Sequence, residues 1–222
     1  MSIPSSLSLV QLHSGQMQVF QSPHRFKVVC AGRRWGKSRL SISTIIRAAA
    51  KERKQRVWYV APTYQMARQI LWDDLQEVLP RKWIRKKNDT TMTIVLKNGS
   101  EIALKGADKP DTLRGVALHF VVLDEFQDMK PDTWYKVLRP TLSSTRGGAL
   151  IIGTPKGFSE FHKLWTIGQN KELQRKGQWK SWQFVTADSP FVPTAEIEAA
   201  KNDMDPKSFA QEYLASFENM SG

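Results

Sequence analysis

Cysteine is nearly absent: Cys30 is the one thiol among 222 residues. A lone thiol closes no internal disulfide, so the fold is no disulfide scaffold, and the usage fits a reducing compartment. Cys30 sits in an apolar run and reads as a small core residue. Long apolar runs are also missing, and nothing approaches the ~20 residues that a membrane-crossing helix needs. Met1 to Val10 carries no basic segment of the secretory kind. The expectation is a soluble intracellular protein with no membrane contact. Internal repeats and low-complexity linkers are missing too. Acid is scarce: 21 Asp+Glu stand against 33 Lys+Arg, a net charge of +12 with a pI near 9.9. That imbalance points to a polyanionic partner, nucleic acid first, although a solvated basic surface is the plain alternative.

What is present is enough for one sizeable core, since 41% of the residues are apolar. Strand-like and helix-like segments alternate. Phe26 to Cys30 reads as a short buried strand. Ile42, Ile45, Ile46 and Ala49 share one face of a helix that begins near Lys37. Arg56 to Ala61 is a second strand, stopped by Pro62, and Leu71, Leu75 and Val78 mark a further helix. From Thr91 to Gly106, two β-type runs flank Asn98-Gly99, a hairpin signal because both residues accept positive φ. Phe120 to Leu123 and Ala149 to Ile152 are wholly apolar, as parallel strands buried on both faces are. Trp182 to Thr186 offers one more strand. Asp205-Pro206 opens a final helix with Asp as cap and Pro at its first position, and Phe209, Tyr213 and Phe217 would share its face. This alternation predicts an α/β fold with a mostly parallel sheet flanked by helices. The last ~40 residues lack strand signals and read as a small helical lid, which divides the chain into a core over 1–180 and a lid over 181–222.

The chemistry concentrates in "AGRRWGKS", where a strand gives way to a helix. A phosphate-binding loop needs that setting, because backbone N–H groups and the helix N-terminus point at the phosphates while a lysine neutralises them. Gly36, Lys37 and Ser38 fit the G-K-S end of the pattern, and Gly32, Arg33, Arg34 and Trp35 form the loop before them. A carboxylate at a neighbouring strand end is then needed for Mg²⁺. "HFVVLDEF" supplies Asp124, which would hold the metal, through water, with Ser38 ligating directly. Glu125 would polarise the attacking water. Either motif alone has a bland reading, a small-residue turn or an acidic cap; together they predict a nucleotide hydrolase using ATP and Mg²⁺. "ALIIGTPKG" ends a third strand, and its Thr154 could sense the γ-phosphate, though an ordinary Gly-Thr-Pro turn accounts for it nearly as well.

In this order the motifs resemble the ATPase half of the large terminase subunit of tailed double-stranded DNA phages. The resemblance covers nearly the whole chain, from "GQMQVFQSPHRFKVVCAGRRWGKS" through "YVAPTYQMARQILWDDL", "LKNGSEIALKGADKPDTLRGVALHFVVLDEFQDM" and "GTPKG" to "DSPFVPTAEIEAAKNDMDPKSFAQEYLASF". It implies an additional-strand P-loop ATPase fold. It implies Gln16 as the adenine-contacting glutamine and Thr154 as the coupling residue. An arginine finger completing a neighbour's site would be Arg114 first, or Arg33 in the loop; for Arg114 a surface ion pair is an even rival. The implied partners are double-stranded DNA, a portal protein and a small terminase subunit. The implied assembly is a ring, usually pentameric, docked transiently on a procapsid in the host cytoplasm; the isolated domain would be monomeric.

Two departures stand out. Ala31 takes a place where phosphate loops often have glycine, which costs little if its φ is negative. The chain also stops at "FENMSG", where the resemblance would have it continue into a metal-dependent nuclease. It is therefore expected to be the motor domain alone, without nuclease activity. Basic clusters at Arg33-Arg34, Lys51 to Arg56, Arg81 to Lys87 and Lys171 to Lys180 are candidate DNA-backbone contacts or simply solvated surface. Trp35 would pack locally or touch a neighbouring subunit. The rivals are a superfamily 1 helicase, whose acidic motif often reads DEFQD but which needs a second motor domain, and a nucleotide-binding module without turnover.

Overall fold

A computed structural model of the chain describes residues 9–218. The segment read for a leader, as far as Ser8, and the chain end from Asn219 lie outside the described residues. Eight strands form a sheet: β1 Phe26–Ala31, β2 Arg56–Ala61, β3 Ile84–Asn88, β4 Thr93–Leu96, β5 Glu101–Gly106, β6 Phe120–Asp124, β7 Gly148–Gly153 and β8 Trp179–Phe184. Their order is β3-β4-β5-β2-β6-β7-β1-β8. β2 pairs parallel with β5 and β6, and β1 with β8, while β3–β4 and β4–β5 are antiparallel. The α/β architecture with a mostly parallel sheet is the one that the sequence predicts.

The chain divides into two compact units, one holding Ser38–Asp124 and Asp128–Leu150, the other Leu12–Lys37, Glu125–Gln127 and the described residues from Ile151. In the first, helix α2, Lys37–Lys51, buries Ile42, Ile45, Ile46 and Ala49 as its periodicity requires. Its Ser43 and Thr44 hydroxyls donate back to the Arg39 and Leu40 carbonyls at 3.0 and 2.7 Å, which is how these weak helix formers are accommodated. The helix after β2 runs as α3, Tyr64–Ala67, a π-helical segment Arg68–Trp72, and α4, Asp73–Val78. A second π-helical segment, Thr133–Leu138, leads into the short α5, Arg139–Thr141. The hairpin of β4 and β5 forms as expected, but Gly99 alone takes positive φ, at +85°, and the Asn98 amide instead donates to the Ala49 and Glu52 carbonyls.

In the second unit all six residues of β1 are buried. Around β1 and β8 stand α1 Ser14–Gln21, α6 Glu160–Ile167, α7 Lys171–Arg175, α8 Thr194–Asp203 and α9 Pro206–Glu212. One strand goes beyond what the sequence announced, and two expectations need correcting. "IRKK" forms β3 at the sheet edge, with four of its five residues exposed; no hydrophobic alternation announces such a strand, and charge is what an edge requires. β8 begins at Trp179, not Trp182, because lysine and serine positions beside β1 still supply backbone pairing. α9 stops at Glu212, and Ala215 turns the chain with φ +51°. Phe217 therefore leaves the Phe209–Tyr213 face and packs on Phe161, His162 and Trp165.

Candidate active site

β1 delivers the chain into the loop 32–36. Ala31 is still a strand residue, paired with Phe184, and is not among the residues with positive φ. The need for glycine falls on the next residue. A Cβ on Gly32 would stand 2.6 Å from Thr186 Oγ1 and 2.9 Å from the Tyr213 carbonyl oxygen. Arg34 adopts φ +63° and Gly36 φ +105°. A Cβ on Gly36 would lie 2.3 Å from the Gln16 amide nitrogen, which donates to the Gly36 carbonyl at 2.8 Å. Gln16 is buried, and its Oε1 accepts the His13 N–H at 2.9 Å. Its amide thus ties α1 to the loop. Trp35 is fully buried, stacked on Phe184 at 4.7 Å with the His13 ring edge-on at 5.0 Å. Its side chain is an anchor for the loop within the fold.

Lys37 begins α2 and curls back over the loop. Its ammonium donates to the Ala31 and Gly32 carbonyls at 3.2 and 3.1 Å and to Thr154 Oγ1 at 3.2 Å. The strand end after β7 therefore meets the loop lysine, as a γ-phosphate sensor would have to. Arg33 points elsewhere: its N–H donates to the Glu212 carbonyl, its Nε pairs with the Glu212 carboxylate at 3.1 Å, and its carbonyl accepts from Thr186. The hydrogen bond to Glu212, then the charge of that carboxylate, raises the Arg33 guanidinium above its usual range. Since that side chain is 60% exposed, the ion pair itself is weak. Burial pushes the Cys30 thiol up against the smaller pull of Lys37, so the thiol stays protonated and unreactive.

Glu125 holds a left-handed backbone, φ +53°, which costs a non-glycine residue about 1 kcal/mol or more. Its carboxylate accepts from Gln127 Nε2 at 2.6 Å, and Gln127 Oε1 accepts the Thr154 N–H at 3.2 Å. Gln127 is a polar partner that the sequence reading missed; "DEFQD" contains it but does not say what it touches. One unit thus brings together Gln16, Gly32, Arg33, Arg34, Trp35, Gly36, Lys37, Glu125 and Thr154.

The other unit carries Ser38, Asp124 and Arg114. Asp124 closes β6, is 1% exposed, and accepts from the Tyr59 hydroxyl at 2.6 Å. Tyr59, also missed, is the one hydroxyl-bearing residue of β2, and a buried phenol needs such a partner. Arg114 follows the 3₁₀ turn Pro110–Leu113 and pairs at 3.6 Å with Asp111, both side chains being exposed. Among the described residues, no group of three or more His, Cys, Asp or Glu side chains is arranged to hold a metal. A cation bound here would draw on a sparse protein shell, a serine hydroxyl and a carboxylate, which suits Mg²⁺ completed by waters and phosphate oxygens. No helix among the described residues is long and apolar enough to cross a membrane.

Residues 28–222 match the family model described as terminase large subunit, T4likevirus-type, N-terminal. The chain is 30% identical over 203 residues to the terminase large subunit of Escherichia phage T5, covering 90% of this chain and 45% of that protein. It is 32% identical over 176 residues to the counterpart of Thermus phage G20c, covering 70% and 36%. It thus spans less than half the length of these relatives. The solved ATPase domain of the Thermus phage P74-26 large terminase superposes with a TM-score of 0.79 at 26% identity, over 94% of each chain. The large terminase of a thermophilic bacteriophage, solved in complex with ADP, shares the fold at 16% identity, with a TM-score of 0.75 over 93% of this chain and 54% of that one.

Proposed function

The chain belongs to the family of T4likevirus-type terminase large subunits, as an N-terminal part, and we propose that it hydrolyses ATP to drive double-stranded DNA into a viral procapsid. Gly36, Lys37 and Ser38 hold the β- and γ-phosphates at the start of α2. Mg²⁺, held by Ser38 and Asp124, offsets the phosphate charge when bound. Glu125 takes a proton from the attacking water as the γ-phosphoryl group leaves ADP. Thr154 passes phosphate loss on to the parts that grip DNA. Arg114 of a neighbouring copy in a ring on the portal supplies the finger, with Arg33 as the alternative in the same chain. The exposed cations of β3 contact the DNA backbone, and α8 and α9 serve as a lid. A small terminase subunit and the host cytoplasm complete the setting.

The observation that carries this reading is the seat of Lys37: a loop that only glycine can build at Gly32 and Gly36 delivers an ammonium to the end of β7 at Thr154. Family membership sets aside the helicase rival. The test is Mg²⁺-dependent ATP hydrolysis against protein concentration, with Lys37→Ala and Glu125→Gln as controls. Glu125→Gln is expected to lower kcat by roughly 10²–10⁴-fold with ATP binding kept, and Lys37→Ala to lose ATP affinity. Unchanged affinity in Lys37→Ala would sink the phosphate-loop reading, and unchanged turnover in Glu125→Gln the hydrolytic one.

A further inference from the structure

Glu125 has a second-hand link to the phosphate loop that no motif describes. One amide makes it. Gln127 Nε2 donates to Glu125 Oε2 at 2.6 Å while Gln127 Oε1 accepts the Thr154 N–H at 3.2 Å. Thr154 Oγ1 in turn accepts from Lys37 Nζ at 3.2 Å. The path is therefore Lys37, Thr154, Gln127, Glu125, with every contact inside one compact unit.

Its surroundings are shaped for the amide. A Cβ on Gly153 would stand 2.3 Å from Gln127 Oε1, so any other residue at the end of β7 would displace it. Phe126, between the two polar residues, is 2% exposed and packs on Phe161 at 6.1 Å between centroids, which anchors the turn. Glutamine suits the position chemically, because a carboxylate needs a donor on one side and a backbone N–H needs an acceptor on the other. An amide bridging both cannot flip without setting like groups against each other.

We infer that Gln127 is a positioning residue that orients the Glu125 carboxylate and ties its orientation to Thr154, so that a change at the Lys37 ammonium reaches the water-activating group. This rests on Glu125 being that group, and it adds the partner that aims it. When a γ-phosphate draws Lys37 away from Thr154, the strand end is released on one side only, and Gln127 carries the shift to Glu125.

Gln127→Glu is the discriminating variant, because it keeps the acceptor for the Thr154 N–H and replaces the donor with a like charge facing Glu125. The expected result is a fall in kcat of about a hundredfold, the scale of a misplaced catalytic group, with ATPγS affinity and the melting temperature kept close to wild type. Gln127→Met, which removes both bonds, should lower kcat similarly. Wild-type turnover in Gln127→Glu overturns the inference, and so does a loss of affinity matching the loss of kcat, which would mark a merely structural contact. Full turnover in Glu125→Gln would instead overturn the reading beneath it, with Gln127 not at fault. A measurement independent of turnover is the ¹H–¹⁵N side-chain amide pair of Gln127. It should shift in Glu125→Ala and again when Mg²⁺ and ATPγS are added to the wild type; a pair indifferent to both overturns the inference.

Discussion

Gly32 and Gly36 are glycines for different reasons. Gly32 has ordinary φ but no room, because Thr186 and the Tyr213 carbonyl close in on it. Gly36 lacks room and also holds φ +105°. Gly36→Ala should therefore cost more than about 1 kcal/mol and lose ATP affinity, while Gly32→Ala should loosen the contact with Thr186 and Tyr213. Thermal melting and ATPγS titration of both variants check this, and equal, small effects would contradict it. Tyr59→Phe removes one donor from the buried Asp124 carboxylate, which should cost about 1–3 kcal/mol. If Asp124 also holds Mg²⁺, the variant should shift the Mg²⁺ concentration for half-maximal turnover, whereas a purely structural tyrosine would lower stability alone. At this scale the placement of Lys37 and Ser38 at the start of α2, and of Asp124 and Glu125 at the end of β6, was legible, because those letters stand next to an apolar strand. Tyr59 and Gln127 were not, because their partners Asp124 and Thr154 reach them through the fold.

Elements rich in apolar residues were legible almost to the residue: β2 spans Arg56–Ala61, as read, and β6 extends the expected run by one residue to Asp124. β3 was not, since an exposed edge strand needs no hydrophobic face. Its basic residues protect the open edge, so replacing Arg85 and Lys86 with Val should promote concentration-dependent association, visible by light scattering, with ATP affinity unchanged. α9 was legible at its start and not at its end. Asp205 caps it by accepting the Ser208 N–H at 2.9 Å, and the Ser208 hydrogen bonds hold its carboxyl below the ordinary carboxylate value. A carboxyl with a lowered folded pKa stabilises above its unfolded value and loses that contribution as pH falls through the folded value. Amide protection across α9 should therefore drop below roughly pH 4. Asp205→Asn should keep the cap and flatten this dependence, and an unchanged acid response in that variant would place the cause elsewhere. The effect matters because α9 ends at Glu212, the residue that holds Arg33.

For the molecule as a whole, the net charge of +12 fits a partner whose phosphates bind without sequence readout, as the DNA proposed above would be. The order of the strands and the division into two units were not legible, because hydrophobic runs declare strands without saying which lie side by side. The choice of arginine finger turns on whether one chain or two build the site. Arg114 pairs with Asp111 at 3.6 Å with both side chains exposed, and a pair of that kind is weak enough to exchange for a phosphate. Arg33 is engaged with Glu212 through both its N–H and its side chain. If Arg114 acts in a neighbour's site, Arg114→Ala and Glu125→Gln chains should each be inactive alone and regain turnover when mixed. In the mixture, a chain with an intact Glu125 can receive Arg114 from a chain that has lost only its glutamate. Turnover should rise steeply with total concentration and peak near equal proportions. If Arg114 acts within its own chain, no mixture can restore a complete site, and activity would stay at the sum of the separate variants at every ratio.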